Sequence, residues 1–144
     1  MSAFIKKWLV AASIPALALG ASLASAHRSA AQFDFSKRIT VEGTVERFEV
    51  KNPHAAAVIT VKDAKGARHV EYEGHSASHF YRAGYTRDMV HVGDKIAILI
   101  APRHDGHDGG FIQAFTVNGK TVGFGGLSPE TGKPAGGSAE PPAK

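Results

Sequence analysis

Apolar and polar residues alternate along the middle of the chain, which predicts half-buried β-strands. The first alternating segment covers residues 38–50, and its alternation changes phase near Glu46 and Arg47. Such a change indicates a β-bulge or bend, and Gly43 would ease the curvature. Strongly bent first strands are typical of small closed barrels.

The later strands follow at short intervals and are separated by recognisable turns. Asn118-Gly119 is a strong hairpin signal, and residues 63–66 form a second predicted hairpin turn. A short helix is predicted over residues 76–83, with Gly84 at its end. The further predicted strands cover residues 55–62, 67–73, 95–101, 111–117 and 121–124.

This order of elements predicts a mainly β fold, a small OB-like barrel of five to six strands with one short helix, in roughly 90 residues. Ile96, Ile98 and Ile100 are expected on one inward face. A plain meander or a small sandwich is the competing fold. We expect a single domain over residues 27–124, with residues 27–36 as an N-terminal arm. Residues 125–144 lack apolar periodicity and are predicted to be a disordered tail.

Residues 1–26 have the pattern of a signal peptide. Lys6 and Lys7 precede an apolar run, and small residues lead up to Ala26. We therefore predict cleavage after Ala26, a periplasmic or secreted bacterial protein, and no stable membrane anchor after cleavage. The alternative is an uncleaved anchor, since residues 8–26 are nearly long enough to span a bilayer. The chain has no cysteine, which excludes disulfides and lipid attachment at cysteine.

Cleavage would leave 118 of the 144 residues, enough for one domain. The predicted signal peptide holds two of the 17 basic residues and none of the 13 acidic ones, so the net charge falls from +4 to +2. The basic residues are scattered along the sequence, which argues against a nucleic-acid partner. We expect a monomer.

The predicted cleavage would make His27 the first residue of the mature protein. Its terminal amine and ring nitrogen can then chelate one cation. One imidazole from elsewhere would complete a planar three-nitrogen set, which favours Cu(II). We predict His54 as this partner, because Asn52-Pro53 fixes a rigid turn directly before it. The alternative is that His27 is only a chain end and His54 only a polar residue beside a turn.

Other histidines compete for the same role. His104 and His107 flank Asp105 in a glycine-rich loop, a spacing that could place both rings on one ion with the loop carboxylates. His75 and His79 lie four residues apart around the predicted helix start and could share a face. Solvated turns and exposed caps are the alternative interpretations of these four histidines. No partner is predicted for His69 and His91.

The chain lacks the common motifs of enzymes. It has neither a Gly-x-Ser-x-Gly elbow nor a glycine-rich phosphate loop followed by a helix. Glu71 and Glu73 lie two apart on one strand face, which is typical of a solvated surface. We therefore expect a protein that is not an enzyme, with a metal-assisted oxidoreductase as the alternative.

Several short motifs together resemble a family of small exported bacterial proteins of unknown function. Members typically begin Ala-His-His-Ser-Phe at the cleavage site and carry an Asn-Pro-His turn after the first strand. The resemblance covers about residues 26–124 and implies that His27 and His54 belong to the family pattern. It supplies no activity, and Arg28 stands where members have a second histidine. The matching motifs are Ala26-His27-Arg28-Ser29, Phe33-Asp34, Asn52-Pro53-His54, Gly84-Tyr85 and Gly93-Asp94.

Together these patterns predict an exported Cu(II)-binding carrier, buffer or accessory protein that uses His27 and His54. The alternative is an OB-like periplasmic binding module for a small molecule, a glycan, or an envelope or other protein partner, with no metal. Its aromatic contact residues would be Tyr72, Phe80, Tyr81 and Tyr85.

Overall fold

The computed structural model describes residues 30–129, and six strands of this part form one sheet that curls on itself. The strand order is β3-β2-β1-β4-β5-β6, with antiparallel neighbours, and a parallel pairing of Glu73 with Phe111 joins β3 to β5. The predicted mainly β, OB-like architecture is confirmed for these residues. Its elements are β1 (Ile39–Glu49), β2 (Ala56–Asp63), β3 (Gly66–Glu73), α1 (Ala77–Arg82), β4 (Lys95–Pro102), β5 (Gly110–Val117), β6 (Lys120–Gly123) and a 3-10 helix (Phe124–Gly126).

The first strand is long because it belongs to both halves of the sheet. Its first part pairs with β4 and its second part with β2. The pairing with β2 shifts register between Val45 and Arg47, so Glu46 is the extra residue of a β-bulge. The predicted change of phase near Glu46 and Arg47 is therefore confirmed, and it bends β1 from one half of the sheet into the other.

The main core lies on the inner face of the curled sheet, under α1. The three isoleucines of β4 point into it as predicted, and Phe80 of α1 is fully buried. Tyr81, the next residue of α1, is 42% exposed. A helix of six residues has one buried face, and here Phe80 alone occupies it. Gly84 follows α1 with a φ of 97°, in agreement with its predicted role as the helix stop.

The N-terminal arm packs against the opposite face of the sheet. Phe33 is buried with Ala101 and Phe111 in a separate small cluster. The Asp34 amide donates a hydrogen bond of 2.8 Å to the Pro102 carbonyl, and Phe33 forms a β-bridge with Arg103. The arm is therefore fixed to the connection between β4 and β5.

The predicted signal peptide and His27 lie outside the described residues, as does most of the predicted tail. The described chain continues past Phe124 through the 3-10 helix to Pro129. The Thr40 hydroxyl of β1 donates a hydrogen bond of 2.7 Å to the Pro129 carbonyl. Within residues 30–129 there is no helix of the length and apolar character needed to cross a membrane.

Candidate functional site

His54 lies two residues before β2, where backbone hydrogen bonds to the residues after β3 continue beyond the strand ends. The Ala55 amide donates to the His75 carbonyl at 2.9 Å, and the Gly74 amide donates to the Ala55 carbonyl at 2.8 Å. Ala55 is buried in the core, so the two bonds have little access to water. These contacts hold the backbone on both sides of His54 and His75 in a fixed position.

The ring of His54 has one nitrogen already engaged. Its Nδ1 lies 3.2 Å from the Gly74 carbonyl and 3.6 Å from Oε1 of Glu73. A carbonyl oxygen can only accept a hydrogen bond, so Nδ1 carries the proton and donates it. The lone pair of the neutral ring is therefore on Nε2. Histidines that bind metal ions commonly donate their other ring nitrogen in this way to a carbonyl or carboxylate.

His54 lines a surface groove of about 860 Å³, and Phe33 of the arm lines the same groove. The groove also contains Arg47, whose Nη2 lies 3.2 Å from Oε2 of Glu71. The arm that follows His27 therefore borders the space in which His54 is exposed. The structure itself does not describe His27, so the distance between the two predicted ligands stays a prediction.

His75 is half-buried between aromatic rings. Its ring centroid lies 4.8 Å from that of Phe111 and 4.5 Å from that of Phe124. Burial, with smaller contributions from charge repulsion by the neighbouring His79 and His54, lowers the pKa of His75 from 6.5 to about 4. The ring is therefore neutral at physiological pH, and its nitrogen lone pair is available.

This pKa shift predicts a pH dependence of stability in the metal-free protein. In the unfolded chain His75 takes up a proton near pH 6.5, and in the folded chain only near pH 4. Between these values the unfolded state binds more protons, so stability falls as the pH falls. We expect a contribution of about 1 kcal/mol, because water partly screens a half-exposed ring. The free energies of unfolding of the wild type and His75→Gln, measured with urea, should diverge between about pH 7 and about pH 4.5. The wild type should lose more stability over this range. If the free energies of unfolding of the two proteins change with pH in parallel, the lowered pKa of His75 is contradicted.

His79 is a neighbour of His75 but is more exposed. The two rings are near parallel, with centroids 5.3 Å apart and an interplanar angle of 26°. Nδ1 of His79 lies 2.9 Å from the Ser76 hydroxyl, which ties the ring to the start of α1. The two rings therefore lie side by side, but α1 begins only at Ala77, so His75 is not on a shared helix face with His79.

The glycine-rich loop between β4 and β5 does not assemble a metal site. The carboxylate of Asp105 accepts hydrogen bonds from two nitrogens of Arg103. Nε of Arg103 lies 3.1 Å from Oδ1 and 3.3 Å from Oδ2, and Nη2 lies 2.8 Å from Oδ2. Arg68 of β3 engages Asp108 in the same manner, at 2.7 and 3.2 Å. Arg103 holds the pKa of the Asp105 carboxyl well below its usual range. Together the two arginines occupy the carboxylates that the loop would offer to an ion. No group of three His, Asp or Glu side chains in residues 30–129 is arranged to hold a metal ion.

The remaining histidines have acidic partners that the sequence pattern did not indicate. Nδ1 of His69 contacts Oε1 of Glu46, the extra residue of the β1 bulge, and Nδ1 of His91 lies 3.7 Å from Oδ2 of Asp94. Both rings are mostly exposed. Exposed pairs of this kind contribute little to stability.

The aromatic residues predicted as contacts for a non-metal ligand are mainly core residues. Tyr72, Phe80 and Tyr85 are at least 93% buried, and only Tyr81 of the four is exposed. Packing in the core therefore explains the presence of Tyr72, Phe80 and Tyr85 without a ligand. Burial raises the pKa of the Tyr72 hydroxyl to about 12.

Comparison with functionally curated proteins gives no match. A family model described as "Family of unknown function (DUF6152)" matches residues 16–113. The matched range contains all eight histidines and the chain from β1 into β5. The chain therefore belongs to this family of unknown function, DUF6152.

Proposed function

We propose that this chain is an exported protein that binds a transition-metal ion, Cu(II) above others, as a carrier, buffer or accessory protein. The terminal amine and ring of His27, freed by cleavage after Ala26, would supply two nitrogens, and Nε2 of His54 a third. The observation that carries the proposal is the state of the His54 ring. Its Nδ1 proton is held by the Gly74 carbonyl beside Glu73, which leaves Nε2 as the donor atom.

The position of the arm supports the pairing with His27. Phe33 borders the same groove as His54 and is fixed by its contact with Phe111, at 5.6 Å between ring centroids. His27 precedes Phe33 by six residues, which allows a reach of at most roughly 20 Å. The mature amino terminus would thus be tethered beside the groove.

The geometry favours binding over catalysis. Glu71, one of the two glutamates on the outer face of β3, pairs with Arg47, and Glu73 lies beside the engaged nitrogen of His54. Neither contact places a general base against a nucleophile. Nitrogen donors in a tetragonal arrangement favour Cu(II) among the available divalent ions.

The test begins with the full chain exported from a bacterial host with its own leader. We expect intact mass spectrometry of the exported species to show a start at His27. Titration with Cu(II) should then give an affinity at least about tenfold tighter than that of a variant with one alanine inserted between Ala26 and His27. His54→Gln should weaken binding to a similar extent. The matched control is His91→Gln, because His91 is exposed and lies beside Asp94, outside the groove.

Two results would overturn the proposal. One is an exported species that starts at another residue, because the terminal chelate would then not exist. The other is an equal Cu(II) affinity for the wild type and the alanine-insertion variant. Binding of a small molecule or glycan in the groove without any effect of these variants would favour the alternative function, a binding module without metal. The size of the groove, about 860 Å³, is the observation that favours that alternative.

A further inference from the structure

The turn between β5 and β6 holds a chemically labile pair of residues, Asn118 and Gly119. An asparagine side-chain amide can be attacked by the main-chain nitrogen of the next residue, and glycine has no side chain to block the approach. The chain has two asparagines, and the other one, Asn52, precedes Pro53. Proline has no N–H, so this attack is closed to Asn52.

The backbone of the hairpin favours these two residue types. Val117 pairs with Lys120 across a two-residue loop, and φ is 48° at Asn118 and 74° at Gly119. Glycine, asparagine and aspartate are the residues that adopt such left-handed conformations most readily. Both turn residues are exposed, and no hydrogen bond engages the Gly119 amide within residues 30–129. The attacking nitrogen is therefore open to solvent in the folded protein.

The side chain of Asn118 ties this turn to a second turn, directly before β4. Its Nδ2 donates a hydrogen bond of 3.1 Å to Oδ2 of Asp94. The same carboxylate oxygen accepts a bond of 2.9 Å from the His91 amide, and the Asp94 carbonyl accepts one of 2.9 Å from the Val45 amide. A carboxylate at position 118 can only accept hydrogen bonds, so it would lose this contact and repel Asp94.

We propose that Asn118 is a site of spontaneous deamidation, and that the reaction opens the contact with Asp94. The Gly119 nitrogen loses its proton to solvent and forms a bond to Cγ of Asn118. The bond between Cγ and Nδ2 then breaks, and ammonia leaves. Water opens the resulting five-membered imide at either carbonyl, which gives aspartate or isoaspartate. Water is the only co-reactant, no electron transfer is involved, and the proposal does not depend on metal binding.

The two products differ in their effect on the hairpin. Aspartate keeps the main chain and tolerates the turn conformation, but it places a second carboxylate beside Asp94. Isoaspartate carries the main chain through the side-chain carbon, which lengthens the two-residue loop. Because β6 has four residues and buries Val122, a longer loop disturbs its register on β5.

The reaction is tested by incubating the wild-type protein for weeks at mildly alkaline pH and mapping its peptides by mass spectrometry. We expect the mass gain of an amide-to-acid exchange at Asn118, with aspartate and isoaspartate forms separated by chromatography. Asn52 is the internal control and should stay unmodified in the same sample. Asn118→Gly keeps a favoured turn pair and should show no mass gain at the turn. An unmodified Asn118, or equal modification of Asn52, would overturn the proposal.

The effect on the contact with Asp94 is measured with Asn118→Asp, whose Asp-Gly pair is also favoured in this turn. We expect its melting temperature to lie about 2–4 °C below that of the wild type, with a smaller difference at high salt. In an Asp94→Asn background, Asn118→Asp should cause little further loss, because the opposing carboxylate is gone. A wild-type melting temperature for Asn118→Asp, or an equal loss in both backgrounds, would overturn the proposed opening of the contact.

Discussion

Phe80→Ala is expected to lower the free energy of unfolding by about 3–5 kcal/mol, because it removes the largest fully buried side chain of α1 and leaves a cavity. The Phe80 ring contacts aromatic residues from four parts of the chain. Its centroid lies 6.2 Å from that of Phe48, 5.8 Å from that of Tyr85, 6.2 Å from that of Phe115 and 4.9 Å from that of Phe124. No single neighbour can move to fill the space without leaving its own contacts.

Equilibrium urea unfolding followed by circular dichroism measures this loss. The control is Tyr81→Ala, the next residue of α1, which is 42% exposed and should cost about 1 kcal/mol or less. Equal losses in the two variants would contradict the assignment of Phe80 to the core. Phe80 also approaches Gly74, where an added Cβ would lie 3.1 Å from its ring. Phe80→Ala should therefore also loosen the backbone that positions His54 and His75.

The local pattern of the chain was enough to predict most of the sheet. Period-two alternation located the strands, and its change of phase located the bulge at Glu46. The helix and its stop at Gly84 followed from a short apolar pair and a residue that tolerates positive φ. These features depend on residues close together in sequence, which is why they can be derived from it.

Contacts between residues far apart in the sequence could not be predicted from the local pattern. The loop carboxylates looked available for a metal, but Asp108 is engaged by Arg68, which lies 40 residues earlier in the chain. The orientation of Tyr81 depended on which face of a six-residue helix met the core. A contact made by a long arginine side chain leaves no periodic pattern in the sequence, and a six-residue helix is too short to show one. Neither the contact of Arg68 with Asp108 nor the exposure of Tyr81 could therefore be inferred.

The register within the β2–β3 hairpin could be derived from the sequence. The predicted hairpin turn at residues 63–66 sets the register of β2 on β3, and the register determines every opposing pair. The count holds as far as Ala56 and Glu73, but beyond them the Ala55 amide bonds to the His75 carbonyl and not to the Gly74 carbonyl, so the register shifts by one residue. What the count could not supply is the hydrogen bond from His54 to the Gly74 carbonyl, because a ring orientation depends on side-chain torsion angles.

Gly43→Val is expected to lower the free energy of unfolding by about 3 kcal/mol, at the upper end of what overpacking usually costs. Gly43 pairs with Val61 on one side and with Ile96 on the other, so its backbone is fixed in two ladders at once. A Cβ at this position would lie 2.4 Å from Cγ2 of Ile59 and 2.5 Å from the Thr60 carbonyl oxygen. A backbone oxygen in a paired strand cannot yield without breaking ladder hydrogen bonds.

The test compares the free energies of unfolding of two variants of Gly43 with that of a control variant at the preceding residue. Gly43→Ala should cost less than Gly43→Val, because valine adds two further methyl groups to the same overlap. Glu42→Ala, at the exposed residue directly before it, should stay within about 0.5 kcal/mol of the wild type. Wild-type stability of Gly43→Ala would mean that β1 and β2 lie farther apart than in the structure.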